Sequence, residues 1–319
     1  MGVDAIAAVS LSRPRAPYNG AEQFVIFLRM NVIFHRLPRE RAAGTMRLDV
    51  IADGVNVEAA QGEVLLGKLT SAEFKSRLGE GGLHAAIIAL GATEQHLEHL
   101  AMEHDIAMAQ YIATEAAKRV YPAAVVVVPT TLGLSEHHMA HAGTLTAKPG
   151  GWHAIVFDAV DSLARAGLTN ILLLNGHAGN ETPMDGALRQ WQMYFRNTAP
   201  EVNVQFESYW NLCREFSEAH CEGAVPGHAQ EYETAMALYA LPDNVRRAAL
   251  DSGSDPSARL AMPEQGRELV EHAISGTVRF LSEMSAGTRR AMMPLVSTRE
   301  RYERLRRRNE GGRESAPEP

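Results

Sequence analysis

Three short runs are apolar almost from end to end: "AAIIAL" (85–90), "AAVVVVPTT" (123–131) and "NILLLN" (170–175). They constrain this chain more than any other feature. A strand with one face in water alternates apolar and polar residues, so a strand without that alternation must be covered on both sides. Helical patterns fill the gaps between these runs. "LTSAEFKSRL" (69–78) has Thr70 or Ser71 as N-cap. "DIAMAQYIATEAAKRV" (105–120) comes after the first run, and "GWHAIVFDAVDSLARAG" (151–167) comes after the second and closes on Gly167. "TPMDGALRQWQMYF" (182–195) leads to a fourth strand, "NVQFESYW" (203–210), and "EYETAMALYAL" (231–241) is a helix stopped by Pro242. The order βαβαβαβα predicts an α/β domain with a mostly parallel central sheet covered by helices on both faces.

The domain expected from this pattern covers 61–250. Residues 1–60 carry no clean periodicity and read as a partly irregular N-terminal extension, in which Met30 and Met46 are possible alternative starts. Residues 251–300, with "PEQGRELVEHAISGTVRFLSEM" as a further helix, form a C-terminal helical part of the same domain. Residues 301–319 read as a disordered tail: glutamates interleave with its arginines and no aromatic platform accompanies them, so no nucleic-acid partner is expected. The net charge of -7 agrees with that and gives no reason to expect an acidic membrane surface. "QFVIFLRMNVIF" is broken by Arg29 and too short to span a bilayer, and it lacks the features of a signal peptide. Cys213 and Cys221 have neither zinc-pair nor redox spacing, so reduced thiols and a cytoplasmic location are expected.

Histidine is the biased residue. Eleven of the thirteen lie between His84 and His228. In a doubly wound sheet, ligands bind beyond the carboxyl ends of the strands. Each predicted strand end carries a histidine-rich segment. The first strand runs into Glu94, His96, His99 and Asp105. The second runs into "GLSEHHMAHAGT", with His137, His138 and His141. The third runs into "GHAGN", with His177 and Asn180, and the fourth leads to "PGHAQEYET", with His228, Glu231 and Glu233. A single buried histidine is ordinarily a satisfied core residue. Four such segments on one rim, each placed by periodicity rather than by its polar residues, point instead to a metal site. Mixed His, Asp and Glu donors suit zinc, manganese or iron(II) rather than calcium or magnesium. A carboxylate able to bridge, such as Asp105, would allow two cations about 3.5 Å apart.

The stretch 91–105, "GATEQHLEHLAMEHD", resembles without a gap the signature of the creatininase family, Gly-Ser-x-Glu-Gln-His-Gly-Pro-His-Leu-Pro-Leu-x-x-Asp. "SEHHMAHAGT" is similar to that family's His-x-x-Phe-Pro-Gly-Thr segment, "NGHAGN" to its Asn-Gly-His-Gly-Gly-Asn element, and "HAQEYETA" to its His-Ala-Gly-x-x-Glu-Thr-Ser element. The four motifs keep their order over about 65–245. The resemblance implies a three-layer α/β/α sandwich, a metal-dependent amidohydrolase with two divalent cations per subunit (Zn2+ or Mn2+, with Fe2+ as a further option), and a homo-oligomer, in this family a hexamer. It implies Glu94, His96, Asp105, His177 and Glu233 as metal ligands, with Asp105 bridging. It also implies His228 as a proton-transfer residue, while Glu231 stands as a second base or an alternative ligand to Glu233.

The chain departs from the family pattern at "LEHLA", where Gly-Pro-His-Leu-Pro is expected, and at "HAGT", where His141 replaces an aromatic ring. Gly179 stands where creatinine hydrolases proper place a metal-binding glutamate. These departures predict an altered pocket wall and a substrate other than creatinine. His99, His138, His141 and Asn180 are candidate substrate contacts. Each also has a plainer role: His99 and His104 beside the ligands, His137 and His138 on the pocket border, Asn175 and Asn180 as loop holders, Gly176 and Gly179 as tight-turn residues, Trp152 and Trp210 as core.

The expected reaction is hydrolysis of a non-peptide C–N bond in a small-molecule lactam, cyclic amide or formamide, by attack of a metal-bound hydroxide. Two alternatives stay open: ester or phosphoester hydrolysis at the same cations, and a non-catalytic metal-binding assembly protein. No P-loop, dinucleotide fingerprint or nucleophile elbow is present.

Overall fold

The computed structural model of the protein describes residues 62–79 and 82–290. The expected extension over 1–60, the tail over 301–319 and the last ten residues of the 251–300 segment lie outside that range.

Four strands form one sheet: β1 (Ala85–Leu90), β2 (Ala124–Val127), β3 (Asn170–Asn175) and β4 (Asn203–Ser208). All pairings are parallel, in the order β2-β1-β3-β4. The helices between and beyond them are α1 (Ser71–Gly79), α2 (His104–Arg119), α3 (Pro149–Arg165), α4 (Glu181–Thr198), α5 (Arg214–His220), α6 (Glu231–Ala240), α7 (Arg247–Ser252) and α8 (Pro263–Ser285).

Local chemistry sets the helix ends. At α1 the Thr70 hydroxyl accepts from the Glu73 N–H at 3.2 Å, and Glu73 accepts in return from the Thr70 N–H at 2.6 Å. This reciprocal capping box favours Thr70 over Ser71 as the N-cap. At the end of α3, Gly167 has φ +102°, and its N–H and that of Leu168 satisfy the last-turn carbonyls of Ala164 and Leu163.

The apolar strands divide between two cores by their alternation. Ala85, Ile87, Ala89, Leu172 and Leu174 pack with α2, α6 and α8 on one face. Ala86, Ile88, Leu90, Ile171 and Leu173 pack with α3 and α4 on the other. All six residues of β1 and all six of β3 are buried. The fold is therefore a three-layer α/β/α sandwich. A strand without a polar face can sit nowhere else in it, which is why the continuous apolar runs are diagnostic.

The chain leaves β1 toward β2 on one side and returns to β3 on the other. The order reverses between β1 and β3, and their paired ends, Leu90 and Asn175, mark the switch point.

Candidate metal centre

Polar side chains collect just beyond that switch point. The turn after β1 delivers Glu94, Gln95 and His96, and the first turn of α2 delivers Asp105. The loop after β3 delivers His177, the turn Glu136–His138 delivers His137 and His138, and the segment entering α6 delivers His228 and Glu233. Glycine makes the convergence possible at two places. A Cβ on Gly91 would lie 2.4 Å from the Ile106 nitrogen, and one on Gly176 would meet the Asp105 carbonyl. Only a bare backbone there lets the start of α2 descend onto the ends of β1 and β3. The Gly176 N–H also closes onto the Leu90 carbonyl at 2.8 Å.

Asp105 sits at the centre. Its Oδ1 is 2.9 Å from His96 Nε2 and its Oδ2 is 2.9 Å from His177 Nδ1. Glu94 Oε1 lies 3.4 Å from His177 Nδ1, and Glu233 Oε2 lies 3.9 Å from His96 Nε2. All five groups are at most 4% exposed. His228 Nδ1 is 3.8 Å from Glu94 Oε1, and its side chain is 31% exposed. Glu94, Asp105, His177, His228 and Glu233 border a cavity of about 220 Å³. Its wall also includes His137, His138, Trp210, Pro226 and Gly227.

The two central histidines present a chosen nitrogen to this cluster. A carbonyl oxygen can only accept. His96 Nδ1, 3.1 Å from the Glu94 carbonyl, therefore carries a proton in either charge state, and Nε2, which faces Asp105 and Glu233, is the nitrogen that offers a lone pair when the ring is neutral. His177 Nε2, 3.3 Å from the Leu134 carbonyl, likewise leaves Nδ1 to face Asp105 and Glu94. Metal-ligating histidines are oriented in this way by the groups behind them.

Electrostatics shows what the cluster lacks. Burial works against the charged form of His96, yet Asp105 and Glu233 outweigh it and hold its pKa up at about 9. His177 is held at about 10 against the same burial penalty by Asp105 and Glu94. Burial also opposes ionisation of Asp105, but His96 and His177 keep that carboxyl below its ordinary range. Burial lifts Glu233 to about 8. Three buried carboxylates thus draw protons onto two imidazoles for want of other positive charge. A divalent cation would supply that charge and release those protons.

The unpaired atoms agree. Among the described residues Glu94 Oε2, His96 Nε2 and Asp105 Oδ2 are buried without a hydrogen-bond partner, although Asp105 and the two imidazoles are in contact. Donor atoms of Glu94, His96 and Asp105 lie within 4.8 Å of one another, as do those of His96, His228 and Glu233. The donor set, its burial and its orphaned lone pairs fit divalent cations of the zinc and manganese class.

Gln95 is a site residue that sequence reasoning misses. Its Oε1 accepts from the Leu97 N–H at 3.1 Å, which fixes the orientation of the amide. Its Nε2 then lies 2.7 Å from His228 Nε2 and 3.0 Å from His138 Nδ1. One NH2 donates to both rings, so the protonated nitrogen of each neutral ring faces Glu94. The signal available in the sequence is its place between two ligands.

Several expected roles fall elsewhere. Glu231 is not at the cavity. Its Oε2 accepts from the Glu222 and Gly223 N–H groups at 2.8 and 2.9 Å, and its Oε1 from Gln265 at 2.7 Å. Two positions on a helix differ by about 200°, so Glu233 faces the cluster and Glu231 turns away to hold the loop before α6. Replacing Glu231 with glutamine is expected to cost about 1–3 kcal/mol of stability and to leave metal uptake unchanged. Thermal unfolding together with metal analysis checks this.

The expected substrate contacts need the same correction. Asn180 is fully buried. Its amide accepts from the Leu134 N–H and donates to the Gly91 carbonyl and to Asn175, locking three strand-end loops together. His99 is buried against Thr234, 2.8 Å from its hydroxyl. His141 is exposed on the loop, with its ring 5.9 Å from that of His138. Of the four, only His138 borders the cavity. "LEHLA" does not line it either. Leu97 adopts φ +54°, at a position where the family pattern has glycine, a conformation that costs a side-chain-bearing residue roughly 1–2 kcal/mol. Glu98 reaches away to Ser254 at 3.2 Å. The cavity wall is made by other segments. His104, buried against His96, has neither ring nitrogen bonded among the described residues, and burial holds its pKa down at about 3.

Known proteins can be set beside this geometry. The family model described as Creatininase, creatinine amidohydrolase, matches residues 67–281. A mycofactocin precursor peptide peptidase of Mycobacterium ulcerans (strain Agy99) is 26% identical over 177 residues, 53% of this chain and 63% of the relative. The chain thus matches less than two thirds of that protein's length. A creatinine amidohydrolase of Pseudomonas putida is 25% identical over 197 residues, 57% of this chain and 74% of the relative. A solved structure of creatininase with manganese has a TM-score of 0.61 at 22% identity and covers 70% of this chain and 98% of its own, a likeness of fold.

Proposed function

The chain belongs to the creatininase family, whose members are hydrolases acting on C–N bonds, and on that premise we propose that it cleaves a small amide, lactam or formamide at a two-cation centre. The five ligands in this reading are Glu94, His96, Asp105, His177 and Glu233. Glu94, Asp105 and His177 hold one cation, His96, Asp105 and Glu233 the other. Zinc and manganese suit these donors best, with iron(II) third. The observation that carries the reading is the buried Asp105 carboxylate, one oxygen 2.9 Å from each of two imidazoles whose opposite nitrogens are bound to backbone carbonyls.

When bound, such cations lower the pKa of water and withdraw charge from a carbonyl oxygen. The protein's own part is to shape the cavity and move a proton. Trp210, Pro226 and Gly227 wall the space above the carboxylates. Gln95 donates to His228 Nε2, which leaves the protonated Nδ1 facing the cavity. Burial and the neighbouring His96 push the His228 pKa down to about 4, so the ring is neutral at pH 7. To protonate a departing nitrogen the ring would first take up the proton given up by the attacking water and, as imidazolium, return one from Nδ1, ending again as the neutral imidazole.

A cavity of about 220 Å³ is small for a folded peptide and adequate for a compact amide. Among the described residues no lysine or arginine borders it, which disfavours a phosphoester. A second reading, cleavage of a peptide bond, is favoured by the peptidase among the relatives. Hydrolysis of a panel of lactams, cyclic amides, formamides and short peptides tests both. Turnover of small amides supports the first, and cleavage confined to peptides replaces it with the second. The reading includes a homo-oligomer. Ile155 and Tyr194, left 44% exposed on the outer helices α3 and α4, support it, and the molar mass in solution tests it. Among the described residues no helix is long and apolar enough to cross a membrane.

A further inference from the structure

His137 is not one of the five ligands, yet it is built into the site. Its Nε2 lies 4.0 Å from Glu94 Oε2, a buried oxygen without a hydrogen-bond partner. Its ring lies nearly parallel to that of His177, at 14° and 5.7 Å between centroids. Donor atoms of Glu94, His137 and His177 all fall within 4.8 Å of one another. The side chain is 53% exposed at the cavity edge, on the short turn Glu136–His138.

The space that the ring uses is opened by Gly179. A Cβ there would come 2.4 Å from His177 Nε2 and 3.0 Å from His137 Cε1. A side chain at 179 would meet His177 and the Leu134 carbonyl first and would press on the His137 ring as well. The bare backbone at 179 and the imidazole at 137 stand on opposite walls of one gap.

We propose that His137 is an additional metal ligand, completing the position formed by Glu94, Asp105 and His177 from its solvent side. The inference rests on the two-cation reading of the site. An imidazole added to a carboxylate-rich position raises its preference for zinc over manganese, because manganese favours oxygen donors. The same ring covers the outer face of that position, so an incoming substrate must approach from the His228 side of the cavity.

The test compares the wild type with His137→Ala and His137→Gln by zinc and manganese titration against a competing chromophoric chelator, and by the visible spectrum of the cobalt-substituted protein. Loss of the ring is expected to weaken zinc binding about tenfold or more at one of the two positions. Manganese affinity should change less, and the cobalt bands should shift. Thermal unfolding of the metal-free variants should match the wild type, since the residue is half exposed. Zinc affinities within twofold and superimposable cobalt spectra would overturn the His137 assignment alone. Failure of the wild type to bind zinc or manganese at all would overturn it together with the reading of the site.

Discussion

Asp105→Ala is expected to remove most of the bound metal and to lower kcat/KM by on the order of 10³ or more. Among the described residues Asp105 is the one side chain within 3 Å of both central imidazoles. In the two-cation reading every other ligand would serve one cation, so its loss should leave the other in place, whereas loss of Asp105 should disturb both. The stabilisation that cations give to the charge developing in amide hydrolysis is several kcal/mol, and each 1.36 kcal/mol is a factor of ten in rate. Asp105→Asn keeps the size of the side chain and so separates charge from packing. It should keep the fold, by circular dichroism, while losing metal. Full metal content in both variants would show that the bridging assignment is wrong.

The second large effect is expected at His228. Its ring borders the cavity with one nitrogen on Gln95 and the other facing Glu94. His228→Ala is expected to lower kcat by about 10² to 10⁴, the range for a general acid or base, with metal content unchanged. Gln95→Leu leaves the imidazole but removes the donor that fixes its tautomer. It should lower kcat less than His228→Ala does, with little change in KM. The geometry also sets up the opposing outcome, because His228 stands within ligand distance of His96 and Glu233. If His228→Ala lost a full equivalent of metal, the residue would be a ligand rather than a proton carrier. Metal analysis of the purified variant decides between the two.

Both effects turn on residues whose place on the rim is legible in the sequence, and the reason is physical. A strand such as "NILLLN" has no polar face, so it can only lie inside a covered parallel sheet, and the loop after its last residue must sit at the carboxyl edge. The positions of Glu94, Asp105, His177 and Glu233 relative to the sheet are fixed by that alone. Their facing is not. "EYE" at the start of α6 offers two carboxylates two residues apart. Which one meets the sheet depends on how α6 is rotated, and this is set by contacts with α8 and α2 that leave no local mark.

The loop residues are harder to read for a related reason. Leu97 sits in a left-handed conformation that its residue type does not advertise, so the letters "LEHLA" suggest an altered pocket wall where the fold turns these side chains away from the cavity. Asn180 looks free to meet substrate in the sequence, whereas three loops converge on its amide in the fold. His137 and Gly179 are 42 residues apart in sequence, and only the folded chain shows that they stand side by side against His177.

If this cluster of carboxylates and imidazoles is a metal centre required for hydrolysis, metal and activity must rise and fall together. Metal content per chain, measured by mass spectrometry alongside amide hydrolysis before chelation, after chelation and after readdition of zinc or manganese, tests that directly. Between one and two equivalents of zinc, manganese or iron per chain are expected, with hydrolysis lost on chelation and restored by readdition. Well under one equivalent in freshly purified protein, or hydrolysis that survives complete chelation, would contradict it.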